Sequence, residues 1–229
     1  MNPGDIVSHA DMCSRERRML QHGMNFRLDT HSVLLMSRRR GAPYNDEVRD
    51  QGRILVYEGH DVPRIRGIKD PKLYDQPMRT PSGKLTPNGK FYEAAHAFKS
   101  GKREPASVRV YEKIKDGIWT YNGVFRLIDA WEEKQGGRKV FKFRLEMTDL
   151  ELLPAASGGT ELEHNRMIPT AIKLEVYKRD KGRCVLCGST DNLHFDHDYP
   201  YSKGGTSLFA ENIRLLCIRH NLQKGSKIQ

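Results

Sequence analysis

Strict alternation of apolar and polar positions is clearest at FKFRLEM, residues 141–147. Phe141, Phe143, Leu145 and Met147 fall on one face, and Lys142, Arg144 and Glu146 on the other. Side chains alternate across a strand with period two, so this reads as a half-buried strand with a wet, partly basic face. RILVYEG (53–59), SVRVYEKI (107–114) and WTYNGVFRLI (119–128) are rich in β-branched and aromatic residues and are also predicted as strands. One helix stands out. It opens at Thr86-Pro87-Asn88, runs through YEAAHAFKS and stops at Gly101. Several strands and few helices predict a β-barrel or a strongly curved sheet.

The pattern breaks at residues 151–170, ELLPAASGGTELEHNRMIPT. Two prolines, a Gly-Gly pair and small polar residues mark a linker. The chain therefore divides into an N-terminal domain at 1–150, a linker at 151–169 and a small C-terminal domain at 170–229, α+β overall. Residues 1–150 carry 28 Lys/Arg against 20 Asp/Glu, and residues 165–229 carry 11 against 6. Residues 151–164 carry three acids and no Lys or Arg. Both domains are thus basic. A net charge of +10 over 229 residues is an electrostatic footprint for a polyanion, most often nucleic acid. No apolar run is long enough to span a bilayer, and the first residues lack the apolar core of a secretory signal. A cytoplasmic protein with no membrane partner is expected.

The four cysteines sharpen this picture. Cys184 and Cys187 have two residues between them, and so do Cys217 and His220. Two such pairs can close a tetrahedral zinc site, each gripping from one turn. With four protein ligands no position stays open, so this zinc is expected to be structural. A domain of about 60 residues has a small core, and a metal staple explains how it stays folded. Cys13 stands apart and reads as an ordinary thiol.

Between the two zinc pairs lie FDHD (195–198), PYSKGG (200–205) and ENIRLLC (211–217), followed by IRHNLQK (218–224). Over residues 170–227 this frame resembles the HNH endonuclease family, whose fold is a ββα-metal unit. The resemblance implies that Asp196-His197 is the family's Asp-His pair, Asn212 its middle position and Asn221 its final one. His220 could itself be that final residue; it is read as the zinc ligand because it completes the four-ligand set. Phosphodiester hydrolysis needs an activated water and charge relief on the leaving 3′ oxygen. A neutral imidazole titrating near physiological pH can take the proton of that water, so His197 suits the general base. Asp196 and Asn221 would supply oxygen to one divalent ion, Mg²⁺ or Mn²⁺. The Asn212 amide would hold the His197 loop, Lys203 and Lys224 would contact phosphates, and Asp198 would be solvated.

GAPYNDE (41–47), GRILVYEGHDVP (52–63) and TYNGVFRL (120–127) together resemble the SRA domain, also called YDG, which reads modified cytosine in DNA. The family's Tyr-Asp-Gly is Tyr121-Asn122-Gly123 here, and Asn-Gly suits a tight turn. The resemblance implies a pocket for a base flipped out of the duplex. Tyr44 and Tyr57 would sandwich the base, and Asp46, or else Glu47, would accept from its exocyclic amine. Backbone groups near Tyr57 and Glu58 would complete the readout. The basic run Arg38-Arg39-Arg40, with Arg39 at its centre, would grip phosphates or fill the gap left by the base. Jointly the two resemblances imply a modification-dependent DNA endonuclease that cuts near 5-methylcytosine or 5-hydroxymethylcytosine, restricts modified foreign DNA, and dimerises at least on DNA. The rivals are a non-catalytic reader of modified DNA with a structural zinc module, and a nuclease whose first domain binds unmodified DNA.

Overall fold

The computed structural model describes residues 1–64, 67–148, 167–199 and 205–224. In chain order the described elements are β1 (Ile6–Ser8), α1 (His9–Glu16), β2 (Met24–Asn25), β3 (Ser32–Met36), β4 (Glu47–Arg49), β5 (Ile54–Glu58), α2 (Pro87–Lys99), β6 (Ala106–Lys115), β7 (Ile118–Gln135), β8 (Arg138–Met147), α3 (Thr170–Arg179), β9 (Leu193–His197), β10 (Ile213–Cys217) and α4 (Ile218–Lys224). They form a mixed α+β chain with a large, mostly sheet body. Two compact units emerge. One comprises Met1–Met19, Tyr111–Gly123 and Asp149–Gln229, the other Leu20–Val110 and Val124–Thr148. The strands β6 and β7 contribute to both.

In the second unit the strands pair in the order β2-β3-β6-β7-β8-β5-β4. The β7–β8 hairpin turns at Gly136 and Gly137, where φ of +60° and +85° suits residues without a Cβ. The alternation of 141–147 puts Phe141, Phe143 and Leu145 into a core with Leu55, Tyr57, Val108 and Phe125. The opposite face is not uniformly wet, however. Lys142 is 1% exposed, because its ammonium meets Glu58 Oε2 at 3.1 Å on the neighbouring β5. A strand pattern shows which side a residue faces, not whether a partner lets its charge be buried there. Helix α2 starts where Thr86 Oγ1 accepts from the Gly89 N–H, with Pro87 in its first turn, and sends Phe91, Ala94 and Ala95 into the same core.

In the first unit β1 pairs with residues 118–120 of β7. Tyr121-Asn122-Gly123 is not the expected turn. It lies within β7, with Asn122 buried and Gly123 at φ +101° against Pro3. Asn122 is held in a buried network: Lys173 Nζ donates to Asn122 Oδ1 (2.6 Å) and Glu112 Oε2 (2.7 Å), and Asn122 Nδ2 donates to Glu112 Oε2 (3.1 Å). Thr170 Oγ1 donates to the other Glu112 oxygen. Burial alone would raise the Glu112 pKa, but the Lys173 charge and these donors hold it below its usual range. Strands β9 and β10 form an antiparallel hairpin, and α3 and α4 pack on it. Its core holds Val176, Leu193, Phe195, Ile213, Leu215 and Leu216. The linker expected at 151–169 falls largely outside the described residues.

Candidate functional site

The apolar face of the β9–β10 hairpin ends against four ligand-bearing side chains. One ligand atom each from Cys184, Cys187, Cys217 and His220 lies within 4.8 Å of all the others. Cys187 and Cys217 Sγ are 3.8 Å apart, and His220 Nδ1 lies 3.4 Å from Cys184 Sγ and 3.3 Å from Cys217 Sγ. A tetrahedral zinc with bonds of about 2.3 Å to sulfur and 2.0–2.1 Å to nitrogen needs S–S edges of about 3.8 Å and S–N edges of about 3.5 Å. The cluster fits that ion. The first Cys pair sits in a tight turn, with Gly188 N donating to Cys184 O at 2.8 Å and Gly188 at φ +73°. Burial works to raise the Cys184 thiol. Backbone N–H donors of Cys217, Leu186 and Cys187, with His220, more than offset it and hold the thiol at about 6. Cys13 stands elsewhere, buried on α1 with its sulfur 3.8 Å from a His9 ring nitrogen.

The end of β9 carries Asp196 and His197. Along the strand Leu193 and Phe195 fill the core, while His194 and Asp196 lie on the opposite face. His194 Nδ1 is 3.0 Å from Asp5 Oδ1, and Phe195 N donates to Gly4 O, so residues just before β1 brace this strand. His197 Nε2 lies 2.9 Å from Ser207 Oγ. Burial lowers the imidazole pKa below its usual range, opposed by the Asp196 charge and aided by Lys224 and His194. His197 is therefore neutral at physiological pH, as a proton acceptor must be. Asn212 pins the chain that follows. Its Oδ1 accepts from Tyr199 N (2.8 Å), and its Nδ2 donates to Tyr199 O (3.1 Å) and Thr206 O (2.9 Å).

Lys224, expected at phosphates, is turned inward. It is 2% exposed, and its ammonium donates to Asp196 Oδ2 and the His197 carbonyl. Asp198 is not simply solvated either, since one of its oxygens lies 2.6 Å from Arg214 Nε. Asn221 is half-buried on α4, three residues before Lys224 and thus on the same helical face. Lys203 lies outside the described residues. Arg39 is partly buried, with exposed Arg38 and Arg40 on either side; its carbonyl accepts from Ala42 N in the turn leading to Tyr44.

The second group of predicted residues lies in the other unit. Tyr57 is 1% exposed and belongs to the core; its hydroxyl reaches His60 Nε2 at 3.0 Å and donates to Leu35 O at 3.3 Å. Between the predicted pair Tyr44 and Tyr57, His60 contacts both rings. Tyr44 stacks on His60, with ring centroids 4.8 Å apart and planes 7° from parallel. His60 was not singled out from the sequence; the GHD that follows Tyr57-Glu58 was its only trace. Asp46 is buried and accepts from the backbone N–H groups of Glu58 (3.0 Å) and Ser37 (3.3 Å). Burial raises its carboxyl to about 7, against the two donors. Glu47 is instead at the surface, paired with Arg49 at 2.6 Å. The Glu58 carboxylate accepts from Asn45 N and Lys142, and lies 3.6 Å from Arg138.

The chain matches the HNH endonuclease family model over residues 184–227. Among solved structures it is similar to an SRA domain of SUVH5 in complex with fully methylated CG DNA (21% identity, 65% of this chain and 90% of that chain, TM-score 0.45). It is also similar to the SUVH5 SRA domain bound to fully hydroxymethylated CG DNA (20% identity, 67% and 89%, TM-score 0.43). A third similar structure is the modification-dependent TagI restriction endonuclease (16% identity, 97% and 76%, TM-score 0.42). No curated protein matches the chain. The thiol–imidazole cluster, Asp196-His197, Asn212 and Asn221 all lie within the stretch 184–227 that matches the HNH endonuclease family model.

Proposed function

We propose that the chain is a modification-dependent DNA endonuclease. The observation that carries this reading is a neutral, half-buried His197 beside Asp196, at the end of a strand inside the segment that matches the HNH endonucleases. Residues 170–229 supply the chemistry, and residues 1–150 the recognition, through Tyr44, Asp46, Tyr57 and Glu58. With Ser207 Oγ accepting from the His197 Nε2–H, Nδ1 keeps its lone pair and takes the proton from a water molecule. The water oxygen bonds to phosphorus, the bond to the 3′ oxygen breaks, and that oxygen leaves with the electron pair. Asn212 keeps the chain after His197 in place. Asp196 and Asn221 are the donors we assign to a divalent ion, Mg²⁺ or Mn²⁺, which relieves charge on the phosphate and the leaving oxygen when bound. That the Asp196 carboxylate and the His197 carbonyl already serve the Lys224 ammonium supports their fitness for a hard cation. We assign zinc to the Cys184, Cys187, Cys217 and His220 cluster as a structural ion.

On the recognition side, a basic chain and the buried carboxylate of Asp46, two residues after the stacked Tyr44, support a flipped 5-methylcytosine or 5-hydroxymethylcytosine as ligand. Arg39 stands in the turn before Tyr44, where it suits a phosphate or the space a flipped base vacates. Lys203 keeps its assignment to phosphates, whereas Lys224 serves Asp196. Cutting both strands takes two nuclease sites, so we assign a homodimer on DNA.

The test incubates matched duplexes carrying cytosine, 5-methylcytosine or 5-hydroxymethylcytosine with Mg²⁺ or Mn²⁺, over a range of protein concentrations. Cleavage of the modified duplexes alone is expected, lost by at least about 10²-fold in His197→Ala and rising faster than linearly with protein. Binding without cleavage would leave a non-catalytic reader. Equal cleavage of all three would keep the nuclease and remove the base pocket.

A further inference from the structure

One face of the Tyr44 ring is already covered by a second ring, and Lys72 Nζ lies 4.4 Å from the Tyr44 centroid. His60 lies parallel to Tyr44 at 4.8 Å, the spacing of a stacked aromatic pair. Two rings that sandwich a base must stand roughly 7–8 Å apart, twice the carbon–carbon contact distance. Tyr44 and His60 are therefore too close to hold a base between them. At its Nε2 edge His60 meets the Tyr57 hydroxyl at 3.0 Å, with the two rings tilted at 6.1 Å.

The main chain around His60 is fixed, and the residue as a whole is half-buried. His60 N donates to Asn88 Oδ1 and His60 O accepts from Asn88 Nδ2, both at 2.8 Å. Gly59 cannot give way, since its carbonyl accepts from Gln76 at 2.6 Å. Beyond the ring edge stands Gly23, where a Cβ would come within 2.6 Å of His60 Nε2 and 2.8 Å of the Tyr57 hydroxyl. The imidazole therefore has backbone on its Gly23 side, with Tyr44 and Tyr57 as its aromatic neighbours. Burial holds it at about 4, against the Asp61 charge, so the ring is neutral at physiological pH. A neutral planar heterocycle with a single hydrogen bond is a good stand-in for a base, and easy to displace.

We propose that His60 is a built-in plug of the base site: its imidazole occupies the stacking place on Tyr44 until a flipped modified base turns it outward. This rests on the reading of residues 1–150 as a modified-base reader. Binding the base then costs the Tyr44–His60 stack and the Tyr57 contact. Every flipped base meets that same cost, so the plug lowers affinity for the base site and leaves the ratio between a methylated and a plain flipped base unchanged.

The experiment measures binding in the His197→Ala background, without divalent ion, to duplexes with one 5-methylcytosine or with cytosine at the same position. Adding His60→Ala should tighten binding to the methylated duplex by about two- to ten-fold, the worth of an aromatic pair. Binding to the plain duplex should tighten by no more than the same factor, so the preference for the methylated duplex should not narrow. His60→Asn, which keeps a polar group for the Tyr57 hydroxyl but removes the ring, should give the same gain if the alanine variant folds poorly. In the protein with His60 intact, the His60 Cε1–H resonance should lose the shielding of the Tyr44 ring on adding methylated duplex. Unchanged or weaker binding by the His60 variants, or an unmoved resonance, overturns the plug. A parent protein with no preference for the methylated duplex would sink the reader itself, which is a separate outcome.

Discussion

Asp46 receives two backbone N–H groups and almost no water, and burial sets its carboxyl at about 7. The folded chain thus keeps a proton that the unfolded chain releases near 3.8. The stability this brings is full below about pH 4 and is lost as the pH rises through about 7, on the order of a few kcal/mol. Recognition runs the opposite way. An ionised carboxylate only accepts, and it holds the exocyclic amine of cytosine better than the acid does. Affinity for a methylated duplex should therefore climb between pH 6 and pH 8 at constant ionic strength. In Asp46→Asn that rise should vanish. A flat profile in the unmodified protein, read by fluorescence anisotropy, would remove Asp46 as the acceptor.

Among the elements, β7 and α3 carry the most specific polar packing. Asn122 both accepts from Lys173 and donates to Glu112, and an aspartate cannot do the second. The Asn at 122, where the SRA resemblance implies Asp, thus fits both of its partners. Asn122→Asp would place two buried carboxylates on one ammonium and should lower stability by roughly 2 kcal/mol, read from urea unfolding. Lys173→Met leaves Glu112 buried and unpaired and should cost more, about 3–5 kcal/mol, part of which Glu112→Gln in the same chain restores. Neither loss appearing would mean that water reaches the network. These pairings also mark the limit of the sequence. Alternation was enough to place Phe141, Phe143 and Leu145 in the core, and Thr86-Pro87 and Gly101 bracketed α2. Partners from distant segments decided the rest: Glu58 buries Lys142, Asp196 turns Lys224 inward, and Tyr44 stacks on a histidine that no periodicity singles out. The two cysteine-led pairs were legible because metal geometry leaves few spacings open.

At the scale of the whole molecule, the residues assigned to chemistry and those assigned to recognition fall in different compact units. Cys184, Asp196, His197 and His220 belong to one, and Tyr44, Asp46, Tyr57 and His60 to the other. The hairpin core around Val176, Phe195 and Leu215 is small, and Cys184 and Cys217 are part of it. A zinc ion held there would contribute its binding free energy largely as folding free energy of that region. Stripping metal with a strong chelator should therefore abolish cleavage and lower the first melting transition, and adding back Mg²⁺ alone should not restore it. Zinc with Mg²⁺ should. The core of the other unit holds Tyr57 and Phe143 and draws no residue from the thiol–imidazole cluster. Preference for a methylated over a plain duplex should accordingly survive chelation, with affinity changed by no more than a few-fold. If chelation instead erased the preference together with cleavage, the base site would depend on the metal-held unit for its fold, and the assignment of recognition to Tyr44, Asp46 and His60 alone would fail.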